Sequence, residues 1–241
     1  MAKRPPPGIC IYCLEEKERT WDHVFPESWY PETTPPNIEK WKVPVCCECN
    51  RELGEIENDL LIKFGLCLDP EERHSYGITQ KVLRALDPSK GKGKRDKGAR
   101  AKDRQRLLEG VVNLDELPAE GLFPNLGPLP TVQYDEYHAF GISKASLEKL
   151  VEKIVRGLTY KFDKQVIGNN LEIGAYFAED EDVKEIEENV RYLGKTFHRG
   201  PGIEVTRAVR REGSIESLYI IEIWGRLKMY ASVLLKSSKV S

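Results

Sequence analysis

Apolar residues recur at helical spacing from Asn50 to Phe64, where Leu53, Ile56, Leu60, Leu61 and Phe64 fall on one face between charged residues. A shorter helix is predicted over Ile78 to Leu86, with Val82, Leu83 and Leu86 on one side and Asp87-Pro88 stopping it. Further along, Leu147, Leu150, Val151, Ile154 and Leu158 mark a third helical face. Leu171 to Ala178 has the pattern of a strand, and Asp182 to Leu193 that of an acidic helix. Three strand-like runs follow, Ile203–Arg210, Ser217–Trp224 and Arg226–Leu235, with Gly225 suited to a turn between the last two. The order α-β-α-β-β-β predicts an α+β domain with an antiparallel sheet.

Composition divides the 241 residues into four stretches. Residues 1–8, basic and proline-rich, are expected to be a disordered arm. Residues 9–68 hold all six cysteines and three of the four tryptophans, and are expected to form a compact module. Residues 69–130 combine the short helix with a basic, Pro/Gly-rich linker. Residues 131–241 carry the α+β pattern, with no motif that assigns a role. The net charge of -2 hides a cluster: Ser89 to Arg106 contains Lys90, Lys92, Lys94, Arg95, Lys97, Arg100, Lys102, Arg104 and Arg106 against Asp96 and Asp103. Its glycine-spaced first half is expected to be flexible, and its second half could turn helical into Leu107 and Leu108. Cations in this density neutralise phosphates and release counterions, which points to salt-sensitive contact with nucleic acid rather than to sequence reading. No secretory pattern and no membrane-length apolar run is present, so a cytoplasmic protein is expected. Thiols stay reduced there, and the cysteines are better explained by metal than by disulfides.

Cys10 and Cys13 form one C-x2-C pair, and Cys46 and Cys49 a second, thirty-two residues on. Two such turns present four sulfurs to one ion, the tetrahedral arrangement of structural Zn²⁺, which leaves no position for substrate. Cys47 could stand in for Cys46 only with poorer spacing. Cys67 is expected to be a buried thiol.

Between the cysteine pairs lies Thr20-Trp21-Asp22-His23-Val24-Phe25-Pro26, and Cys49-Asn50 opens the predicted helix. By itself an Asp-His pair is better explained by a carboxylate orienting a surface histidine. In this order and spacing, Cys10-x2-Cys13, Asp22-His23-Val24-x-Pro26 and Cys46-x2-Cys49-Asn50 resemble the HNH endonucleases, the ββα-metal nucleases, over roughly residues 10–62. The resemblance implies a hairpin carrying Asp22 and His23 on its first strand, with the Asn50 helix packed across it. It implies a catalytic divalent cation, Mg²⁺ or Mn²⁺, held by Asp22 and Asn50, and His23 as the base that deprotonates water. The family's middle asparagine, which holds the hairpin and orients the histidine, falls at Trp41; Asn37 is the nearest asparagine to take that role. Trp21, Trp29, Tyr30 and Trp41 are expected to pack the hairpin.

The expected function is hydrolysis of phosphodiester bonds in nucleic acid, DNA rather than RNA. The alternative is a zinc-stabilised nucleic-acid-binding protein with a decayed active site. A homodimer would suit two-strand cutting, although no coiled-coil pattern points to one.

Overall fold

The computed structural model describes residues 4–113, 138–177 and 181–236. The Pro/Gly-rich stretch from Leu114 to Pro130 and Ala178 lie outside the described residues. The chain runs β1 (Gly8–Ile9), β2 (Glu16–Lys17), β3 (Arg19–His23), β4 (Lys42–Cys46), α1 (Cys47–Leu66), α2 (Ile78–Leu86), α3 (Lys94–Glu109), β5 (Val111–Asn113) and β6 (His138–Phe140). It continues through α4 (Lys144–Asp163), β7 (Leu171–Tyr176), α5 (Asp182–Leu193), β8 (Lys195–His198), β9 (Ile203–Val209), β10 (Ser217–Ile223) and β11 (Leu227–Leu235).

The C-terminal part is α+β with an antiparallel sheet, as the hydrophobic pattern predicts. Its five strands lie in the order β7-β11-β10-β9-β8. Period-2 alternation drives Val205, Tyr219, Ile221, Ile223 and Met229 into a core shared with Leu150, Ile154 and Leu158 of α4. Val183, Ile186 and Val190 of α5 pack with Ala208 and Tyr230 in a second, smaller cluster. β8 has no counterpart in the sequence reading. It is a four-residue edge strand with mostly exposed side chains, so no buried period marks it.

Toward the N-terminus, β3 and β4 pair antiparallel with Asp22 opposite Val43 and His23 opposite Lys42, and α1 follows β4 directly. Residues 4–8 run beside this hairpin, where Arg19 donates to the carbonyl of Pro6. The Ser89–Arg106 segment is mostly ordered helix rather than half flexible: α3 starts at Lys94 and passes through Gly98.

The buried core does not break between the N-terminal and C-terminal regions. One continuous cluster runs from Cys10, Trp29 and Trp41 to Trp224 and Val233. Trp29 and Trp224 stack with ring centroids 4.9 Å apart, and Trp224 Nε1 donates to the carbonyl of Trp29 at 2.7 Å. Trp41 meets Phe162 of α4 edge-on at 5.2 Å and carries the Arg199 guanidinium 3.6 Å over its ring. Trp29 and Trp41 therefore pack the hairpin and its loop onto the C-terminal region, while Trp21 stays 41% exposed. No helix among the described residues is long and apolar enough to cross a membrane.

Candidate functional site

The four cysteines of the two C-x2-C pairs converge. The sulfurs of Cys10, Cys13, Cys46 and Cys49 all lie within 4.8 Å of one another. Cys13 and Cys46 are 3.9 Å apart, close to the edge of about 3.8 Å that four Zn–S bonds of ~2.3 Å require in a tetrahedron. Local structure builds each half. The first pair sits in a tight turn in which Leu14 N–H reaches back to the Cys10 carbonyl, with Leu14 at a positive φ of 65°. The second pair straddles the start of α1, where the Cys46 sulfur caps the helix by accepting from Cys49 N–H. Cys46 N–H in turn points at the Cys10 sulfur at 3.3 Å. Burial pushes the Cys46 thiol up to about 11, against the pull of the Cys49 N–H, and the Cys49 thiol higher still, so a bound metal would have to displace their protons. The donor set fits a structural metal such as zinc and leaves it no open position. Cys47 faces solvent outside the cluster, and Cys67 is only partly buried, its thiol donating to the Lys63 carbonyl.

Asp22 lies on the inner side of β3 and is almost fully buried. Its carboxylate is already engaged. Tyr12 donates its phenol to Asp22 Oδ2 at 3.0 Å, and Lys153 Nζ, from α4, lies 3.0 Å from the same oxygen. Lys153 also donates to Glu57 Oε1 on α1. This lysine side chain is only 1% exposed. Burial pushes the Glu57 carboxyl up to about 7 against the pull of Lys153. Burial, with Asp22 next, also pushes the Tyr12 phenol well above its ordinary value. A buried ammonium is stable only where carboxylates meet it, and a buried carboxylate only where a cation or donor does. The cluster satisfies both.

His23, next along the strand, is half-buried and faces the other way, across the ladder from exposed Lys42. Burial first, then Lys42, holds its pKa below the ordinary histidine value, opposed by Glu27 and Asp22. Asn50 lies in the first turn of α1, partly buried, and no hydrogen bond among the described residues joins it to Asp22 or His23. Asn37 is exposed in the turn closed by Ile38 N–H to the Pro35 carbonyl, with no bond to His23. The Trp41 main chain helps to close the hairpin instead: its carbonyl accepts from Val24 N–H at 2.9 Å.

A divalent cation resting on Asp22 does not fit this arrangement, because Lys153 already neutralises the one carboxylate that would anchor it. Lys153, Glu57 and Tyr12 are the members of this buried cluster that the sequence does not single out. The signal for Glu57 was its place seven residues after Asn50, on the same helical face. For Lys153 the only signal was a lysine beside Ile154 in an otherwise apolar stripe.

The basic cluster presents Lys90, Lys92, Lys94, Arg95, Lys97, Lys102, Arg104 and Arg106 to solvent. Arg100 is partly withdrawn, bonding Asp96 at 2.9 Å and the Arg84 carbonyl, so it ties α3 to α2. Compared with known proteins, the chain matches no family model, no curated protein and no solved structure.

Proposed function

We propose that the chain acts on the phosphodiester backbone of nucleic acid, DNA in the first instance, through an HNH-type module at residues 10–62. The observation that carries this reading is the order of elements around the cysteine cluster. Asp22 and His23 end the first strand of an antiparallel hairpin, and the helix after the second strand starts at Cys47 and carries Cys49-Asn50 in its first turn. That is the ββα order the resemblance implies, and the four-cysteine site braces it where its own core is small.

In this proposal His23 is the general base. Its lowered pKa keeps the imidazole neutral at physiological pH, the form that takes a proton from water. Lys42, across the ladder, puts an ammonium beside the imidazole where a phosphate would be received. The exposed cations of α3 grip the backbone without reading sequence. Four thiolates would hold zinc in a bracing role. Asp22, engaged by Lys153, holds no second metal in this proposal.

A second reading, a zinc-braced protein that binds nucleic acid without cutting it, is favoured by that same engagement of Asp22 and by Trp41 at the position of the family's middle asparagine. The two readings separate on supercoiled plasmid incubated with Mg²⁺ or Mn²⁺, with and without EDTA, beside His23→Ala. Nicking or linearisation by wild type, abolished by His23→Ala, is the expected result. Intact plasmid together with a salt-sensitive gel shift would transfer the proposal to the binding reading.

A further inference from the structure

We propose that the outer face of the β3–β4 hairpin is a stacking platform for one unpaired nucleotide, with the Trp21 indole against its base and Lys42 and His23 at its phosphate. The inference rests on the nucleic-acid reading of residues 10–62 and narrows its substrate to DNA that is single-stranded at this site.

The pleat of the strand sets the arrangement. Side chains two apart on a strand share a face, so Trp21 and His23 lie on the outer face of β3 while Asp22 lies on the inner one. Lys42 stands opposite His23 in the ladder, and Pro44 opposite Trp21. An aromatic plate, an imidazole and an ammonium therefore share one surface. Trp29, Trp41 and Trp224 are between 0% and 2% exposed and belong to the core, whereas Trp21 is 41% exposed. An indole left in water forgoes the free energy of burial that the other three gain, and the position is explained if a planar ligand covers it.

Charge on this face suits an anion. Lys42 is exposed and forms no ion pair among the described residues. Glu27, the acid whose charge reaches His23, is bonded to Lys40 at 2.9 Å. Arg19, on the same face of β3, is committed elsewhere, since it donates to the carbonyls of Pro6 and Ile9. Recognition of a phosphate beside His23 thus falls to Lys42. Residues two apart on a strand are separated by about 6.6 Å, comparable with the reach from a phosphate to the base of its own nucleotide. A phosphate held by Lys42 brings that base to Trp21. Within a duplex a base offers only its edges, in the grooves, because its faces are covered by the neighbours in the stack. An indole meets a base face only where the nucleotide is unstacked, and it accepts every base because each has a π-face. The platform selects strandedness and not sequence. Supercoiled plasmid, which melts locally, also offers such nucleotides.

The test is a titration of the zinc-loaded full chain, without added Mg²⁺ or Mn²⁺, with a mixed-sequence DNA oligonucleotide, either single-stranded or annealed to its complement. Tryptophan fluorescence and the anisotropy of a label on the DNA are followed together. The other three tryptophans are buried, so quenching by a stacked base reports Trp21. Wild type is expected to favour the single strand over the duplex and to be quenched by it. Trp21→Ala is expected to weaken single-strand binding by at least about fivefold and to erase the preference. Trp21→Phe is expected to keep the preference and to lose the quenching, because a ring remains while the indole is gone. Should Trp21→Ala fail to fold by circular dichroism, Trp21→Phe decides, and quenching that persists in it refutes the platform. Equal single-strand affinity of wild type and Trp21→Ala, binding without quenching, or a wild type that favours duplex or binds neither form overturns the proposal. Plasmid cutting is scored separately with His23→Ala. A chain that is quenched by single strands yet cuts nothing loses the nuclease reading and keeps this one; a chain that cuts but shows no effect at Trp21 does the reverse.

Discussion

Two clusters of titratable side chains lie along α1, and they meet the same electrostatic demand in opposite ways. At the first turn, four cysteine sulfurs gather with backbone N–H groups but with no cationic side chain bonded to any of them among the described residues. Two turns later, near Glu57, two carboxylates gather around a lysine of the same chain. The first cluster has the donors to hold an ion from outside; the second already contains its cation as folded. The contrast teaches that convergence of ligand-type residues does not by itself make a metal site. What counts is whether the chain has already provided the opposite charge.

The largest effect should come from the first cluster. Stripping the metal with a strong chelator, or Cys10→Ser, should remove a binding free energy on the order of 10 kcal/mol and unfold the hairpin region. Metal content and near-ultraviolet circular dichroism measure it. Lowering the pH should act in the same direction, because each sulfur must give up its proton to bind and regains it in acid. Unchanged ellipticity after complete metal removal would put the cysteines on a level with the self-sufficient acidic cluster. A smaller effect is expected from Lys153→Ala, which leaves Asp22 and Glu57 without their cation and should cost about 3–5 kcal/mol in urea denaturation. Adding Asp22→Asn and Glu57→Gln should restore much of the loss, since the demand for a cation disappears with the acids; chelators should leave all these differences unchanged. The smallest effect should follow Gly157→Ala. A Cβ there would meet Val24 Cγ2 at 2.9 Å, so α4 must shift from the hairpin at an expected cost of about 1–3 kcal/mol. Zinc content should stay at one per chain, while the midpoint of unfolding falls.

Much of this was legible in the chain, and the reason differs by element. The cysteine cluster could be read because both halves are local: each C-x2-C turn is set by neighbouring backbone, and only their meeting needed the fold. Strands β9 and β10 could be read because burial alternates along each, which imposes alternation on the sequence, and β11 because it is buried at all but one of residues 227–233 and shows as an apolar run. The acidic cluster could not. Lys153 reads as one more charge on an amphipathic helix, and nothing local distinguishes a lysine that snorkels to water from one that ends on a carboxylate. Asp22 looked like a free ligand for the same reason, its partner lying in another region. The packing role of Trp41 is legible from its place in the hairpin, but its partners Phe162 and Arg199 come from α4 and the loop before β9. The continuity of the core was hidden too, because a change in composition along the chain says nothing about which apolar faces later meet.

The Trp29–Trp224 stack has a consequence for inheritance. A small folding unit can be shuffled between proteins when its own surface is complete. Here the loop of the hairpin is finished by a tryptophan near the far end of the chain, which donates a hydrogen bond to it. A fragment ending near residue 113 would turn the faces of Trp29 and Trp41 to water and should be sticky in isolation. The ββα unit of this chain is therefore not portable: it and the sheet beside it must be transmitted, truncated or transplanted together.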